Sequence, residues 1–265
     1  MSIASKMMSI SVVVPTLNAR SQITRLLESL YVQSLPPNEV IVVDSGSSDG
    51  TPEIASKLGA RVMCIPRWQF NHGQTRNFAI SRSRGDLVVL TVQDALPRDN
   101  TWLEKLCLPL LQDESLVAVS GRQLVPITAA PLARLRARLW EQITGTNFVV
   151  KSVESPSHFW LLSPEERLKL ALFDNVTSCI RRTAWSAKPF PRISFGEDIA
   201  WATEALLRGW RIAWVPEAAV WHYHCRSMMY EFRRAFLAGY LKASVLRWPA
   251  MPLSHRDAID AYKEA

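Results

Sequence analysis

The first half of the chain alternates two hydrophobic periodicities. ISVVVPTLN (Ile10–Asn18) is a short β-branched run that predicts a buried strand. A helical pattern follows, with Ile23, Leu26, Leu27, Leu30 and Tyr31 on one face. EVIVVDSGSSDGT (Glu39–Thr51) predicts a second strand running into a polar, glycine-containing loop. Thr51 is placed to cap the next helix, with Pro52 at its first position and Gly59 at its end. RVMCI (Arg61–Ile65) predicts a third strand, and the stretch from Gln74 to Arg84 a helix that stops at Gly85. DLVVLTV (Asp86–Val92) predicts a fourth strand and LVAVSG (Leu116–Gly121) a fifth. Strands alternating with helices imply an α/β protein with parallel pairing and ligands at the carboxyl ends of the strands.

The second half is less regular. Arg134 to Gln142 is a basic amphipathic stretch, whereas Thr144 to Pro164 has weak periodicity and many Ser and Pro, which predicts a mobile loop. WRIAWVP (Trp210–Pro216) and AAVWHYH (Ala218–His224) read as strand segments, followed by a long helical pattern to about Trp248. There is no internal repeat, and no linker divides the chain.

Composition narrows the class. The chain has 265 residues, 48% hydrophobic and 21% charged, which is globular and long enough for a sizeable core. Its net charge of +7 points to an anionic partner: nucleic acid, a phosphorylated ligand or a membrane surface. Cys64, Cys107, Cys179 and Cys225 are scattered without metal-type spacing, the pattern of reduced thiols in a cytoplasmic protein. The N-terminus has one lysine and no long apolar segment before Asn18, which argues against a secretory leader. No run reaches the roughly 18 apolar residues of a membrane span.

Candidate chemistry sits at the predicted strand ends. After the first strand come Pro15, Thr16 and Asn18; after the second come Asp44, Ser45, Ser47 and Asp49. A carboxylate such as Asp44 there can accept from the imide N–H of a base, and the alternative is an Asx turn ending the strand. Arg76, in FNHGQTRN (Phe70–Asn77), lies early in a helix, where a cation gains nothing from the dipole and phosphate binding would give it a reason. Asp94, after Gln93 in TVQDALP (Thr91–Pro97), suits a hard divalent cation bridging a diphosphate. No GxGxxG follows the first strand, so a dinucleotide oxidoreductase loses support. In RISFGEDIAWATEALLRGW (Arg192–Trp210), Glu197 and Asp198 stand behind a glycine at the head of an apolar helix, where acids are favoured by the dipole alone.

Taken in order, VVVPTLN, VIVVDSGSSDGT, RNFAISRSRGDLVVLTVQDALP and FGEDIAWATEALLRGWRIAWVPEAAVWHYH resemble the motifs of the family 2 glycosyltransferases, over about residues 9 to 247. FNHGQTRN, QDALP and the HYH…EFRRAF ending look like the bacterial rhamnosyltransferases of surface polysaccharide synthesis. The resemblance implies a GT-A fold: a Rossmann-like, mostly parallel central sheet flanked by helices, with a C-terminal helical extension. It makes Asp198 the catalytic base of an inverting transfer and Glu197 its close support or an acceptor contact. It places a nucleotide-diphosphate sugar on Pro15, Thr16, Asn18, Asp44, Ser45, Ser47, Asp49, Arg76, Gln93 and Asp94. The usual DxD is reduced here to one acid, Asp94, and the resemblance brings His222 or His224 to the same Mg²⁺ or Mn²⁺ ion. Strand alternation puts both histidines on one face and does not choose between them. On the acceptor side it assigns Asp174 and Asn175 to sugar hydroxyls. Trp140, Phe159 and Trp160 could stack on sugar rings, although aromatics at such positions more often pack.

The expected organisation is a catalytic domain over residues 1–225, with a nucleotide-sugar half to about 125 and an acceptor half from about 126, and an amphipathic extension over 226–265. The expected reaction moves L-rhamnose from dTDP-L-rhamnose to a glycan or lipid-linked acceptor, at the inner face of the cell membrane. The rival donor is a UDP-hexose or UDP-N-acetylhexosamine. A sugar-phosphate nucleotidyltransferase would carry a glycine-rich loop near the first strand, and PTLNARS lacks one. A basic non-enzymatic module would have no use for Asp198. No nucleic-acid partner is expected, while a homo-oligomer and peripheral contact with an anionic membrane both suit the sequence. Met229, Phe232, Phe236, Gly239, Tyr240 and Ala243 recur at helical spacing among Arg226, Arg233, Arg234, Lys242 and Arg247. That stripe suits either a membrane surface or packing against protein.

Overall fold

The computed structural model describes residues 8–223 and 228–248. The apolar runs become β1 (Ile10–Thr16), β2 (Glu39–Asp44), β3 (Arg61–Cys64) and β4 (Leu87–Thr91). Every residue of β1 and β4 is buried, because helices cover the sheet on both faces. Between these strands run α1 (Arg20–Tyr31), α2 (Thr51–Lys57) and α3 (His72–Ile80). Helix α1 buries Ile23, Leu26, Leu27 and Leu30, but Tyr31 ends the helix 41% exposed and does not share the core face expected of it.

Local chemistry moves several boundaries. Thr51 does not cap α2; Gly50, at φ +83°, occupies the N-cap, and the Thr51 hydroxyl bonds Asp49 Oδ1. Helix α3 starts two residues earlier than its pattern suggested, because Asn71 caps it by accepting from the Gln74 amide at 3.1 Å. It also ends before Gly85, where a Cβ would lie 2.4 Å from the Ser11 nitrogen; the glycine serves close approach to β1 rather than a helix stop.

Beyond β5 (Leu96–Pro97) and α4 (Trp102–Gln112), β6 runs from Leu116 to Leu124, three residues past its predicted end. Helix α5 (Pro131–Thr144) contains the basic amphipathic stretch. The expected mobile loop is instead built of β7 (Val149–Lys151) and α6 (Pro156–Leu161). Strand β7 pairs with a later strand, Ser155 caps α6, and Phe159 is fully buried. Elements this short lie below the length at which periodicity is legible.

After α7 (Pro164–Ala171), β8 (Thr177–Arg181), α8 (Arg182–Ala187) and α9 (Glu197–Leu207), the two expected C-terminal strand segments form a single β9 (Arg211–Trp221). A register shift opposite Pro216 absorbs the missing amide, so the strand continues past the proline. Helix α10 (Met228–Leu246) follows.

Among the described residues, nine strands form one sheet in the order β3-β2-β1-β4-β8-β6-β9-β5, with β7 also on β9. Strands β1, β2, β3, β4, β6 and β9 point one way, and β5, β7 and β8 the other, so the sheet is mostly parallel as expected. One core layer packs α1 and α4 on one face; the other packs α3, α7 and α9 on the opposite face. Cys64, Cys107 and Cys179 are free, with the Cys107 and Cys179 sulfurs 3.9 Å apart in the core; Cys225 lies outside the described residues.

The directions decide where function falls. The carboxyl ends of β1, β2, β4, β6 and β9 meet at one edge. Strand β8 is antiparallel to β4, with Thr177 opposite Thr91, so the loop before β8 arrives at that same edge.

Candidate active site

The loop after β2 is held by Asp44. Its Oδ2 accepts from the Gly46 and Ser47 amides at 3.0 and 2.8 Å, while Oδ1 receives the Ser47 hydroxyl. This is the Asx turn that was the alternative reading of Asp44, and the residue is buried. The adjoining residues tie the β1 and β2 loops together. Asn18, at φ +47°, accepts from the Ser48 amide, and its own amide donates to Ser47 Oγ. Asp49 accepts from Thr51 and from the Arg20 amide, and these bonds, the Thr51 hydroxyl first, hold its carboxyl below the usual range. Gln93 clasps the backbone of Leu17 through both ends of its amide, at 2.7 and 3.3 Å, and so pins the β4 loop to the β1 loop. Thr16 is buried beside Asp44, and the Ser45 hydroxyl is buried without a partner. Thr16, Asn18, Asp44, Ser45, Ser47, Asp49 and Gln93 thus lie together where the β1, β2 and β4 loops meet.

Arg76 does not face that junction. Its guanidinium is buried, and Nη1 donates to Glu197 Oε1 at 2.6 Å in an ion pair whose side chains are 4% and 6% exposed. The free phosphate grip expected of Arg76 is therefore corrected to a charge partner for Glu197. Glu197 in turn also accepts from Asn175 Nδ2 at 3.2 Å and has no surface left for an acceptor. The other polar residues of FNHGQTRN work alongside. Asn71 Nδ2 donates to the Ile193 carbonyl, Asn77 Oδ1 accepts from the Phe190 amide and the Trp185 indole, and Asn77 Nδ2 donates to the Phe190 carbonyl. The motif clamps the segment that leads into the head of α9.

That helix begins at Gly196, φ +77°, with no side-chain cap. Asp198 is half-buried; Oδ1 accepts from the Ile199 amide at 2.9 Å and Oδ2 from the Asn175 amide at 3.4 Å. Burial first, then the carboxylates of Glu197 and Asp174, push the Asp198 carboxyl well above the usual carboxylate range. It is a carboxylate with a strengthened hold on a proton.

A second chain of contacts runs from Asp174 to Asp94. Gln123, at the end of β6, donates its amide to Asp174 Oδ2 and presents its carbonyl to His222 Nδ1 at 2.7 Å. Because the carboxylate only accepts, the Gln123 amide is oriented and Nδ1 carries the proton; in a neutral ring this leaves the lone pair on Nε2. That nitrogen stands 3.5 Å from Asp94 Oδ1. His222 thus stands beside Asp94; His224 lies outside the described residues. Asp94 and His222 offer one hard oxygen and one imidazole nitrogen, donor types that would suit Mg²⁺ or Mn²⁺. Among the described residues no three acidic, His or Cys side chains cluster as a complete protein-made cage.

Gln123 was missed at the sequence level. The strand-end rule that found Asp94 would have found it, had β6 been carried past Gly121. The aromatic candidates divide. Trp140 lines a cavity of about 260 Å³ with Gln123, Arg122, Arg134 and Arg138, next to the Gln123 relay. Phe159 is core, and one face of Trp160 is covered by the Arg247 guanidinium 3.9 Å from its ring centre, so Trp160 is corrected from a sugar platform to a packing residue.

An α/β sheet with an acid–histidine pair and a carboxylate of raised proton affinity at its carboxyl edge has the make-up of an enzyme active site. Residues 11–186 match glycosyl transferase family 2, and the chain belongs to that family: it is a glycosyltransferase. It is 33% identical, over 89% of its length and 73% of the relative, to an O-antigen chain rhamnosyltransferase of Salmonella anatum. It is 32% identical, over the same shares, to an O-antigen chain rhamnosyltransferase of Salmonella typhimurium. The fold matches a mannosyltransferase of Pyrobaculum calidifontis solved with GDP-Man and Mn²⁺, at a TM-score of 0.65 and 21% identity, over 92% of this chain and 66% of that one. It also matches glucosyl-3-phosphoglycerate synthase of Mycobacterium tuberculosis, solved with UDP, at 0.66 and 21%, over 94% and 84%. Family membership sets aside the nucleotidyltransferase and the non-enzymatic binding module.

Proposed function

We propose that this glycosyltransferase moves L-rhamnose from dTDP-L-rhamnose to a lipid-linked glycan in surface polysaccharide synthesis, with inversion at the anomeric carbon. The observation that carries the chemistry is Asp198: one half-buried carboxylate with raised proton affinity, on the same edge as Asp94 and His222. The donor choice is supported by the two O-antigen relatives.

Asp198 takes the proton of the acceptor hydroxyl as its oxygen bonds to the anomeric carbon and the diphosphate leaves. A single displacement of this kind asks for one base and no carboxylate nucleophile. Asp174, the other nearby acid, is tied to Gln123 and the Val176 amide. Asn175 bridges the backbone of this loop to Asp198 and its own side chain to Glu197, which keeps the base at the edge. The strand ends and loops carrying Pro15, Thr16, Asn18, Asp44, Ser45, Ser47, Asp49 and Gln93 receive the nucleotide. Asp94 and His222 would hold Mg²⁺ or Mn²⁺, which would supply positive charge to offset the negative charge of the departing diphosphate. Trp140 is the aromatic left for the acceptor.

The test is a binding panel on the full chain with Mg²⁺ or Mn²⁺: dTDP-L-rhamnose, UDP-glucose, UDP-N-acetylglucosamine and GDP-mannose. The expected result is tightest binding of the thymidine donor. Tighter binding of a UDP-hexose or UDP-N-acetylhexosamine would replace the donor assignment with the rival one.

A further inference from the structure

Helix α10 turns its apolar stripe outward. Met229, Phe232, Phe236 and Tyr240 are 60%, 69%, 68% and 65% exposed, whereas Leu241 and Leu246 on the opposite face are buried. The helix therefore packs on its own chain through a face that leaves the aromatic stripe uncovered. Its neighbour α5 does the same: Leu132, Leu135 and Leu139 are 45%, 52% and 50% exposed. The two helices are joined by an ion pair between Arg136 and Glu231. Each helix thus leaves a row of large apolar side chains uncovered, four on α10 and three on α5.

Charge selects the occupant. Each helix carries one acid: Glu141 on α5 and Glu231 on α10. Both are already paired, with Arg122 and Arg136. The remaining cations include Arg138, Arg233 and Arg234, all exposed, and among the described residues none of the three has an acidic partner within ion-pair distance. A second copy docked by two-fold symmetry would bring two net-positive surfaces together, with neither helix offering a spare acid to the other's arginines. An anionic lipid surface meets both properties, taking the aromatic and leucine side chains into its interface and the guanidinium groups onto its headgroups.

We propose that α5 and α10 together form a docking surface for an anionic lipid bilayer. The inner face of α10 reaches the catalytic loop. Leu241 packs on Gly196, where an added Cβ would lie 2.3 Å from a Leu241 methyl carbon, and Glu197 and Asp198 follow directly. Docking through α10 thus fixes the orientation of the base relative to the membrane plane. The inference does not depend on the identity of the donor.

The experiment is sedimentation of the full chain with vesicles of phosphatidylcholine alone or with roughly one-third phosphatidylglycerol. Binding is expected only to the anionic vesicles, and it weakens at least about tenfold as salt is raised from low to about 0.5 M. Arg233→Glu with Arg234→Glu, and separately Phe232→Ser with Phe236→Ser, each lower vesicle affinity by about tenfold or more while the circular dichroism melt is unchanged. Hydrogen exchange on the unaltered protein gives a readout independent of the variants: vesicles slow exchange within 131–144 and 228–246. Absence of binding, equal and salt-insensitive binding to neutral vesicles, or protection elsewhere would overturn the proposal. So would a solution dimer that Phe232→Ser with Phe236→Ser disperses, which would assign the surface to a second copy.

Discussion

Asp198 carries the sharpest consequences. Asp198→Asn keeps the acceptor oxygen for the Ile199 amide and removes the proton-accepting charge. Transfer should fall about a hundredfold or more with donor binding nearly unchanged, measured as single-turnover rate beside nucleotide affinity. The same change should stabilise the fold. The folded-state affinity of Asp198 for a proton is raised, so as pH climbs past the ordinary carboxylate value the unfolded chain ionises first and the native protein loses stability. The asparagine variant escapes that loss, and its melting temperature should exceed that of the parent increasingly from about pH 4 upward. Gln123 is the residue that position in sequence concealed. Gln123→Ala removes the bond that holds the Nδ1 proton of His222 and with it the tautomer that faces Asp94. Mn²⁺ binding in the presence of nucleoside diphosphate, followed by calorimetry, should weaken roughly ten- to a hundredfold. Asp94 at a strand end and Asp198 at a helix head stood out by position, while the roles given to Asp198 and to the two histidines came from the family resemblance; the Gln123 contact to His222 was not legible, because it joins residues 99 positions apart.

Between elements, the main joint is α3 against the head of α9. Arg76→Met leaves Glu197 buried without its cation, and the cost should be about 3–5 kcal/mol in denaturant unfolding. Adding Glu197→Gln should restore much of it, since the uncompensated charge is gone. If Arg76 acts through Glu197, nucleoside diphosphate binding in that stable double variant stays near the parent value; loss of binding there would return Arg76 to the phosphate. The early-helix placement of Arg76 signalled that it had a task, yet not which task. The answer depends on a carboxylate 121 positions along the chain. Likewise, α6 and β7 escaped the pattern because six and three residues show no period; the Ser155 cap, Phe159 in the core, the Lys151 bond to the Leu172 carbonyl and the pairing with β9 hold them in place.

At the scale of the molecule, the two expected halves share one sheet. Strand β8, from the acceptor half, lies between β4 and β6 of the nucleotide half. A fragment covering residues 9–125 would therefore expose the edges of β4 and β6 to solvent and lose the Cys179 and Ile180 core contacts. It should fail to fold, with no cooperative melt, while the full chain unfolds in a single transition by fluorescence and circular dichroism. Among the described residues no helix is long and apolar enough to cross a membrane.

The sequence by itself determined the elements that bury a continuous apolar run or a full helical face: β1, β2, β4, α1 and α9 follow from local periodicity, and strand direction follows from their alternation with helices. It also marked the acids at strand ends and at the helix head, because backbone direction alone decides which end of a parallel strand meets a ligand. Tertiary structure decided what those residues touch. The hold on His222 beside Asp94 follows from the Gln123 bridge to Asp174, the burial of Arg76 against Glu197 from the packing of α3 on α9, and the outward turn of Phe232 and Phe236 from which face of α10 meets Gly196. Each is a contact between segments far apart in the chain. Periodicity records which residues share a face and carries no information about what stands opposite that face.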